Sequence, residues 1–349
     1  MIDWISGFLP CTHIPINSGH VVSVNPDGSI DWATPRRTVV EGSYSQKITV
    51  RSGDSDGNGH STLLYFSGNP SKFLQGHNIF GSDNLRELVS EAYHNICTLL
   101  ELKPTAGDLR LIRAGQYKIT RVDINYSFEL PTRADVRSWI RAAELKSKTR
   151  HGRPLSKGGT VYWGKHSKRW SLKAYSKGDE IEVPKHRLPD RLIDKPLAGW
   201  ADNKLRIELT LRSKELDEIN LNTASAWDEK LPGKLFNGYV ERLDMTEQIA
   251  LSTEALLQLP SKLRSTYILW KEGHDLRPPN MAKNTYYRHR KELLEHGIDI
   301  NLRPESIDRT NVVPLIRVLE ANQASIPDWA FSMHLIHSSA SQHSLKIAS

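Results

Sequence analysis

Cysteine is nearly absent from the sequence, which contains only Cys11 and Cys97. Two cysteines that lie far apart in the chain do not fit a disulfide framework or a cysteine zinc site, and they agree with a reducing cytoplasm. No apolar run approaches the length of a membrane span, and the N-terminus lacks the basic-then-apolar layout of a secretory signal. We therefore expect a protein of the cytoplasm that has no membrane partner.

Several common catalytic motifs are also missing. The sequence contains no Walker phosphate loop, no GxSxG elbow and no HExxH helix. The closest approach to a His-hydrophobic-His triplet is His334 and His337, which have two residues between them. P-loop NTPases, α/β-hydrolases, HExxH metalloproteases and enzymes that bind a metal through such a histidine pair are therefore not supported.

Positive charge, in contrast, is concentrated in one stretch. The 349 residues carry a formal charge of +7, yet residues 133–177 contain thirteen Lys and Arg against two Asp and Glu. Residues 1–100 contain six Lys and Arg against nine Asp and Glu. Such a concentrated positive field attracts a polyanion. The basic stretch also contains aromatic residues, namely Trp139, Tyr162, Trp163, Trp170 and Tyr175.

Interleaved basic and aromatic residues favour nucleic acid as the polyanion, because rings stack on bases while Lys and Arg contact phosphates. We predict that Lys165, Lys168 and Arg169 contact DNA. Two alternatives stay open at this point. The stretch is a solvated loop with a basic bias, or its ligand is RNA.

The periodicity of apolar residues predicts an α+β protein. Residues 1–215 are predicted to form an antiparallel-sheet domain, residues 216–333 a mainly helical domain, and residues 334–349 a disordered tail. Helical spacing predicts helices at about Asn84–Leu102 and Ala134–Lys146, whereas Gly68–Gly81 is predicted to be irregular. Turn signals and alternation at period two predict strands, namely Val21–Val24, Ser29–Trp32, Thr38–Arg51, Thr62–Ser67, Gln116–Leu130, Thr160–Gly164, Arg169–Lys177 and Leu205–Arg212.

The helical domain contains a predicted helix-turn-helix-like unit. Ser261–Lys271 and Met281–His296 both have helical periodicity, and a segment with glycine and two prolines separates them. A basic second helix is typical of a helix that enters the major groove, so we predict that Arg288 and Arg290 read the DNA sequence. In the alternative, the tyrosines of this helix pack against the preceding helix and only its arginines are exposed.

Three predicted strands share a further property, an apolar face opposite a polar face. The polar residues are Arg121, Asp123 and Asn125 on the first strand, Lys173, Tyr175 and Lys177 on the second, and Arg206, Glu208, Thr210 and Arg212 on the third. Glu180 and Glu182 follow shortly after the second strand. If the three strands lie in one sheet, these residues form a common floor that combines carboxylates, a tyrosine and cations.

The carboxylates of this floor are suited to a metal ion. Carboxylate oxygens bind hard divalent cations, and such a cation polarises a phosphate. We predict that Asp123, Glu180 and Glu208 hold one Mg²⁺ or Mn²⁺. Taken one at a time, a carboxylate on a strand is more often a surface group that pairs with a neighbouring Arg or Lys than a metal ligand.

The remaining residues of the floor are suited to phosphodiester transfer. We predict that the oxygen of Tyr175 attacks phosphorus, and that Lys177 and Arg206 stabilise the developing charge. In the alternative, Tyr175 is a packing residue, and Tyr239 is the next candidate nucleophile.

Several segments, taken in order along the chain, resemble one family, the filamentous-phage replication initiators (the phage II/X replication proteins). Asn69–Gly81, which contains His77, resembles the most specific signature of the family. Ile119–Asp123 resembles its Arg-x-Asp strand, and Leu205–Glu208 resembles its Arg-x-Glu strand. Thr160–Trp163 together with Ala174–Glu180 resembles its Tyr-x-Lys-x-x-Glu block. Asn311–Arg317 and Pro327–Trp329 resemble its C-terminal end. The strand blocks are also similar, more loosely, to plasmid initiators of the replication-transfer type, which use acidic metal ligands instead of a histidine pair.

The resemblance implies an enzyme of rolling-circle replication. Such an enzyme nicks the viral strand of double-stranded phage DNA at the origin, leaves a 3′-hydroxyl for the host polymerase, and later cuts and circularises the displaced strand. The implied partners are double-stranded and single-stranded phage DNA and the helicase and polymerase of the bacterial host, in whose cytoplasm the protein acts. His77 and Arg121 lie within the matching segments and are predicted to contact DNA.

The family often makes a second, shorter protein from an internal start, and Met245 is the best-placed candidate. The alternative function is a non-enzymatic origin-binding or repressor protein of a phage. Such a protein would have no need of the clustered carboxylates and tyrosine.

Overall fold

The computed structural model describes residues 1–16, 19–148, 154–245, 253–295, 298, 300–301 and 323–337. The strands are β1 (Ile2–His13), β2 (His20–Val24), β3 (Ile30–Pro35), β4 (Thr38–Glu41), β5 (Lys47–Gly53), β6 (Ser61–Gly68), β7 (Lys118–Glu129), β8 (Ser147–Lys148), β9 (Leu155–Lys157), β10 (Thr160–Trp163), β11 (Trp170–Ser176), β12 (Lys204–Arg212) and β13 (Asp244–Met245). The α-helices are α1 (Pro70–Gln75), α2 (Leu85–Leu99), α3 (Ala106–Arg113), α4 (Arg133–Lys146), α5 (Lys177–Glu182), α6 (Leu197–Ala201), α7 (Ser213–Glu218), α8 (Leu231–Val240), α9 (Thr253–Gln258), α10 (Ser261–Lys271), α11 (Lys283–Glu295) and a last short helix at Asp328–Ser332.

Nine strands form one antiparallel sheet in the order β4-β5-β6-β1-β7-β12-β11-β10-β9. β2 and β3 form a separate hairpin, and β8 pairs with β13. The sheet occupies the N-terminal part of the chain and helices dominate the C-terminal part, so the predicted α+β class is confirmed. The order places β7 and β12 side by side near the middle of the sheet, between β1 and β11.

The two faces of the large sheet differ in polarity. On β12, Leu205, Ile207 and Leu209 are fully buried on one face. On this side α4 contacts β11 and β12, α8 contacts β7, and apolar residues of α2, α4 and α8 join the same hydrophobic core. Each fully buried apolar side chain contributes ~1.5–3 kcal/mol, and a slip of one residue would turn every one of them outward. The apolar face therefore fixes which residues occupy the polar face.

The core of the sheet extends beyond residue 215. Leu216, Trp227, Phe236 and Leu243 are all buried in the same cluster as the strands. α7 and α8 thus pack with the sheet, although the predicted boundary at residue 215 assigns them to the helical domain. The domain boundaries stay a prediction.

The last described segment of the chain also returns to the sheet. Ala324 donates its backbone N–H to the carbonyl of Ser127 at 2.8 Å. Within the last short helix, Ala330 is fully buried in a cluster with Ile79 and Phe80. Residues 334–337 of the predicted tail continue this packing, and the rest of the tail lies outside the described residues.

The first strand, β1, escapes prediction from period-two alternation. Its register shifts between Ile2 and Trp4, between Ser6 and Gly7, and between Pro10 and His13. The first and third shifts insert a residue into β1, the second inserts one into β7, and each inverts the in-out order along the strand that carries the insertion. Alternation over the whole strand is therefore broken, although its pairing with both neighbours is long.

Three other predicted elements need correction. The predicted strand Thr38–Arg51 is two strands, because the backbone N–H of Gly42 bonds to the carbonyl of Gln46 at 2.8 Å and reverses the chain. The predicted irregular segment Gly68–Gly81 contains α1, which Asn69 caps at its start. The predicted strand Arg169–Lys177 ends at Ser176, whose hydroxyl accepts the N–H of Asp179 and begins α5. Signals for both caps are present in the sequence, since Asn and Ser favour the N-cap.

The two helices of the predicted C-terminal unit are present. α10 has the predicted bounds, and α11 begins two residues later than predicted, whereas its predicted last residue, His296, lies outside the described residues. Tyr267 and Trp270 of α10 share a buried cluster with Tyr286 and Leu293 of α11. Among the described residues, no helix combines the length and the apolar character that crossing a membrane requires.

Candidate active site

Pairing of β7, β12 and β11 brings the predicted polar residues to one face of the sheet. Directly opposed residues of antiparallel strands project to the same side. The opposed pairs are Asp123 with Thr210, Asn125 with Glu208, Ser127 with Arg206, Lys173 with Glu208, and Tyr175 with Arg206. The common floor expected from alternation is therefore present.

Two carboxylates of this floor are buried, and each has a cation beside it. The Nζ atom of Lys173 lies 2.8 Å from Oε1 of Glu208, whose side chain is 5% exposed. Arg121 donates two hydrogen bonds to Asp123, from Nε at 2.8 Å and from Nη2 at 2.6 Å. Both carboxylates are thus paired, as the alternative supposed, but neither is a surface group.

Burial dominates the acid–base properties of this floor. Removal of Glu208 from water raises its pKa to about 8, and the neighbouring carboxylates Asp123 and Asp3 act in the same direction, against the attraction of Lys173. Burial also raises the pKa of Tyr175 well above its usual range, and Glu180 and Glu208 add to the effect. Near neutral pH the tyrosine is protonated, and Glu208 is close to its titration point.

A second ion pair lies at the start of α5. The ammonium group of Lys177 lies 2.5 Å from Oε2 of Glu180 and donates to Oδ1 of Asn78 at 2.9 Å. Burial lowers the pKa of Lys177 to about 8. For Glu180, burial opposes ionisation, but Lys177, Arg206 and His186 outweigh it and lower the pKa to about 2. Glu180 is therefore ionised and held by its lysine.

Asp3 belongs to the same floor, and sequence reasoning missed it. Its Oδ1 atom accepts hydrogen bonds from the side-chain amides of Asn69 at 2.5 Å and Asn78 at 2.9 Å. Its charge also acts on Lys173 and on Tyr175. The bulge between Ile2 and Trp4 places this carboxylate beside the site. Alternation of polar and apolar residues does not reveal a bulge, so the sequence carries no signal for the position of Asp3.

Arg206 is engaged with the loop that follows α1. Its guanidinium donates to the backbone carbonyl of Asn78 at 2.5 Å, to the carbonyl of Ile79, and to the hydroxyl of Ser127 at 3.0 Å. Arg206 is 1% exposed. In this arrangement the arginine holds the loop against the sheet.

His77 lies in that loop and is buried. Its Nε2 atom is 2.8 Å from the carbonyl of Leu335, in the C-terminal segment, and its Nδ1 accepts the N–H of Ile79. Burial lowers the pKa of His77 to about 4. The imidazole is thus neutral and hydrogen-bonded, so we leave it out of the DNA contacts proposed below.

Asn125 lies on the same floor, and its side-chain amide has unused hydrogen-bonding capacity. Both side-chain amide atoms are buried without a hydrogen-bond partner within the part of the chain that the structure describes. The residue is 1% exposed and lies opposite Glu208. An unpaired buried oxygen beside two carboxylates fits the oxygen ligands that Mg²⁺ and Mn²⁺ prefer.

The donor chemistry fits a divalent cation, but the predicted ligand set is not pre-assembled. Among the described residues, no three His, Cys, Asp or Glu side chains are arranged to hold a metal ion. Asp123 and Glu208 lie on one floor with Asn125, whereas Glu180 is paired with Lys177. The three-carboxylate site therefore remains a prediction, with Asn125 as an added oxygen donor.

Tyr239, the second candidate nucleophile, lies elsewhere. It is buried in the hydrophobic core, where its ring packs on Trp170 and its hydroxyl donates to Glu215. The guanidinium of Arg242 lies 3.9 Å from the centre of the same ring. The structure thus brings Tyr175, and not Tyr239, to the carboxylate floor.

Part of the basic stretch is neutralised within the fold. Arg133 pairs with Glu182 at 2.6 Å, and Arg137 pairs with Asp179 at 2.6 Å. By contrast, Lys168 is exposed. Arg169 is exposed as well, with two acidic residues of α7 at 3.4–3.5 Å. Lys165 is half-exposed, and its ammonium lies 4.5 Å from the centre of the Tyr162 ring.

On α11 the tyrosines divide between core and surface. Tyr286 is buried, whereas Tyr287 is 55% exposed. The next residue, Arg288, is exposed, and Arg290 is half-buried. The buried His289 lies 2.8 Å from the hydroxyl of Thr266 on α10 and so helps to join the two helices.

Comparison with known proteins gives a consistent answer over nearly the whole chain. A family model for the N-terminal part of a phage replication-associated protein matches residues 1–230, and a model for the C-terminal part of the same protein matches residues 251–336. The chain is 50% identical over 329 residues to the replication-associated protein of Enterobacteria phage I2-2, which covers 94% of this chain and 95% of that relative. It is 25% identical over 312 residues to the protein of the same name from Enterobacteria phage f1, covering 74% and 75% of the two chains. The resemblance predicted from the sequence is confirmed, and the chain belongs to the replication-associated protein family of filamentous phages.

Proposed function

We propose that this replication initiator cuts one strand of double-stranded phage DNA at the origin and later rejoins the displaced strand. The observation that carries the proposal is the shared face of β7, β12 and β11, which combines Tyr175 with the buried carboxylates of Asp123 and Glu208. A protein that only binds DNA has no use for such a face, because buried carboxylates cost free energy.

In the proposed first step, the Oη atom of Tyr175 attacks the scissile phosphorus. The new bond joins phosphorus to the tyrosine oxygen, the bond from phosphorus to O3′ breaks, and the leaving 3′-oxygen takes up a proton. The strand stays attached through its 5′-phosphate. Attack by a 3′-hydroxyl on this ester reverses the step, rejoins DNA and restores the tyrosine, so the ester conserves the energy that hydrolysis would release.

Proton transfer in this step depends on groups whose pKa lies near neutrality. Because burial raises the pKa of Tyr175, its hydroxyl needs a base before it attacks. Lys177, whose pKa is lowered to about 8, would take this proton in its neutral amine form and would give one to the leaving 3′-oxygen. We assign Arg206 to positioning of the loop at Asn78, while Lys177 and Lys173 are the cations available to stabilise phosphate charge.

A divalent cation is part of the proposal. Asp123 and Glu208 would hold Mg²⁺ or Mn²⁺ together with Asn125, and Glu180 would join them on leaving Lys177. When bound, the ion supplies Lewis-acid polarisation of the scissile phosphate. Repulsion among the buried carboxylates, which contributes to the raised pKa of Glu208, supports this assignment because a cation would relieve it.

Binding of the origin is assigned to two other regions. Lys165, Lys168 and Arg169 would contact phosphates, and Arg288 with Arg290 of α11 would read bases in the major groove. A 3′-hydroxyl left by the nick would be extended by the host polymerase behind a host helicase, in the bacterial cytoplasm. Arg121, which is half-exposed beside Asp123, would contact the DNA next to the cleavage site.

The test is covalent capture on a supercoiled plasmid that carries the cognate origin. With Mg²⁺ or Mn²⁺ present, the full chain should convert the plasmid to nicked and relaxed forms. It should also retain a radiolabelled DNA end after denaturation, and peptide mapping should identify Tyr175 as the attached residue. Addition of EDTA should abolish both products.

Matched variants separate the proposed roles. Tyr175→Phe should eliminate the adduct, whereas Tyr239→Phe, which removes a tyrosine hydroxyl from the opposite side of the sheet, should retain it. An adduct that persists in Tyr175→Phe would disprove the nucleophile assignment, and cleavage that survives EDTA would disprove the metal. Origin binding without any strand cleavage by the intact chain would leave a non-enzymatic origin-binding protein as the function.

A further inference from the structure

Three aromatic rings lie in a row on the polar face of the sheet, on the side of the site away from β11. They are Trp4 and Phe8 on β1 and Tyr65 on β6, and each is half-exposed. Phe8 and Tyr65 oppose each other directly, with ring centroids 5.4 Å apart. Trp4 opposes Asp123 on β7, so the row begins at the carboxylates. We call Trp4, Phe8 and Tyr65 the aromatic track.

Arginine side chains stand at both ends of the aromatic track. At the end near the site, the guanidinium of Arg121 lies 5.4 Å from the centre of the Trp4 ring. At the far end, the guanidinium groups of Arg37 and Arg51 lie 5.3 Å and 5.1 Å from the centre of the Tyr65 ring. Cation–ring pairs of this kind hold both partners in place while they stay open to solvent.

A groove lies next to the aromatic track, where Phe8 forms part of its wall. It encloses about 360 Å³ and is lined by Phe8, Pro10, Leu63, Gln116, Tyr117 and Lys118. Its walls are mostly apolar, and the exposed side chain of Lys118 stands at its edge. A planar ligand with an attached negative charge fits an apolar slot with a cation at its edge.

This combination identifies the occupant by its chemistry. Aromatic rings present flat apolar faces that accept nucleobases whatever the sequence, and arginines beside them accept phosphates. In a duplex the bases already stack on one another, so only unpaired bases can use the rings. The arginines at both ends disfavour an apolar protein segment as the ligand, because docking would remove their charges from water.

We propose that the aromatic track binds the single strand of DNA next to the cleavage site, with bases stacked on its rings and phosphates held by its arginines. Neighbouring strands of a sheet lie ~4.8 Å apart, so the distance from β7 to β5 is about 14 Å. That distance accommodates a few nucleotides of an extended strand. The identity of this strand rests on the proposed function, but its binding does not require cleavage.

The test measures binding in the absence of cleavage. Full-length protein is titrated in EDTA against a short fluorescein-labelled oligothymidylate, and fluorescence anisotropy gives the dissociation constant. Base stacking on one ring contributes ~1–3 kcal/mol, so Tyr65→Leu and Phe8→Leu should each weaken binding by about tenfold. Phe331→Leu is the control, because that ring is 56% exposed on the last short helix and lies outside the track.

A second measurement remains informative if a variant fails to fold. Wild-type protein is irradiated with a single strand that contains 5-iododeoxyuridine, which couples to stacked aromatic rings, and the adducts are mapped by peptide sequencing. We expect adducts at Trp4, Phe8 or Tyr65. Unchanged affinity in both folded track variants, or adducts confined to other residues, would overturn the proposal. If wild-type protein binds the single strand in EDTA but does not nick DNA when a divalent cation is present, the result would contradict only the proposed function.

Discussion

Lys173 and Glu208 face each other directly across β11 and β12, and the ammonium lies 2.8 Å from the carboxylate. Even so, the pKa of Glu208 is raised to about 8, because burial and the nearby carboxylates outweigh this one cation. The pair is therefore not a simple salt bridge that stabilises the fold at every pH. Burial and the neighbouring carboxylates oppose the ionisation of Glu208 at this position.

This relationship predicts how stability depends on pH. The pKa of Glu208 is higher in the folded chain than in the unfolded chain, so its contribution to stability is fully present below about pH 4.5 and is lost as pH rises through about 8. Glu208→Gln removes the titration. Each pKa unit corresponds to ~1.4 kcal/mol, so the variant should gain a few kcal/mol relative to wild type between pH 5 and pH 8.

Urea unfolding at several pH values checks this prediction. All other ionisable groups are common to the two proteins, so the readout is the difference between the two curves. Asp27→Asn is a suitable control, because that exposed carboxylate has a lowered pKa and titrates below the window. Parallel curves for wild type and Glu208→Gln would contradict the raised pKa.

Asp3 makes a separate contribution to the same titration. Its charge raises the pKa of Glu208, and its Oδ1 accepts hydrogen bonds from Asn69 and Asn78 that an amide oxygen can also accept. Asp3→Asn should therefore keep the fold while it lowers the pKa of Glu208. The acid limb of the pH–rate profile for nicking should move to lower pH.

The shift of this limb is measured with saturating Mg²⁺, so that weaker metal binding does not imitate it. Arg121→Gln offers a contrast, since it removes a cation near the floor and should move the limb to higher pH. A limb that stays in place in Asp3→Asn would show that Glu208 does not control the profile.

Glu208 and Asp3 differ in how far their positions can be predicted from the sequence. Glu208 lies on a strand of regular alternation, so period two alone predicted which face it occupies. Asp3 lies at a bulge in β1, where the in-out order breaks, and no local pattern announces that it reaches the same floor. Its place depends on Asn69 and Asn78, which the fold brings from a loop more than sixty residues away.

Other parts of the site were beyond sequence reasoning for a similar reason. The polar face of β12 predicted that Arg206 points toward the floor, but not that carbonyls of the loop after α1 would take up its donors. The resemblance predicts that His77 contacts DNA, whereas the C-terminal segment covers this residue, and its Nε2 atom lies 2.8 Å from the carbonyl of Leu335. Partners that come from distant segments decide whether a polar side chain is free to meet a ligand.

The basic residues of the loop between β10 and β11 predict how DNA binding depends on salt. Replacing Lys165, Lys168 and Arg169 together by glutamine should weaken binding to all DNA sequences alike, because phosphate contacts carry no base information. The plot of log affinity against log salt has a negative slope, and each lost phosphate contact makes that slope less steep by about 0.9. In filter-binding titrations, the slope for the triple variant should therefore be less steep than that for wild type by about 2 to 3.

A control for this experiment comes from the same basic stretch. Arg137→Gln removes a charge that Asp179 already pairs with at 2.6 Å, so the salt slope should hardly change. Equal slopes for the triple variant and wild type would remove this loop from the DNA interface.

The C-terminal segment should be required for the integrity of the active site. Ala330 is fully buried in a cluster with Ile79 and Phe80. These two residues belong to the loop after α1, whose carbonyls accept hydrogen bonds from Arg206. Ala330→Asp would place an unpaired charge in this cluster, and such a change costs several kcal/mol. We expect a lower melting temperature of the sheet domain and a loss of nicking, even though the substitution lies more than a hundred residues beyond β12. Met333→Asp is the matched control, since Met333 is 45% exposed one turn later, and it should melt and nick as wild type does. If both variants behave alike, the segment merely rests on the loop, and the site is complete without it.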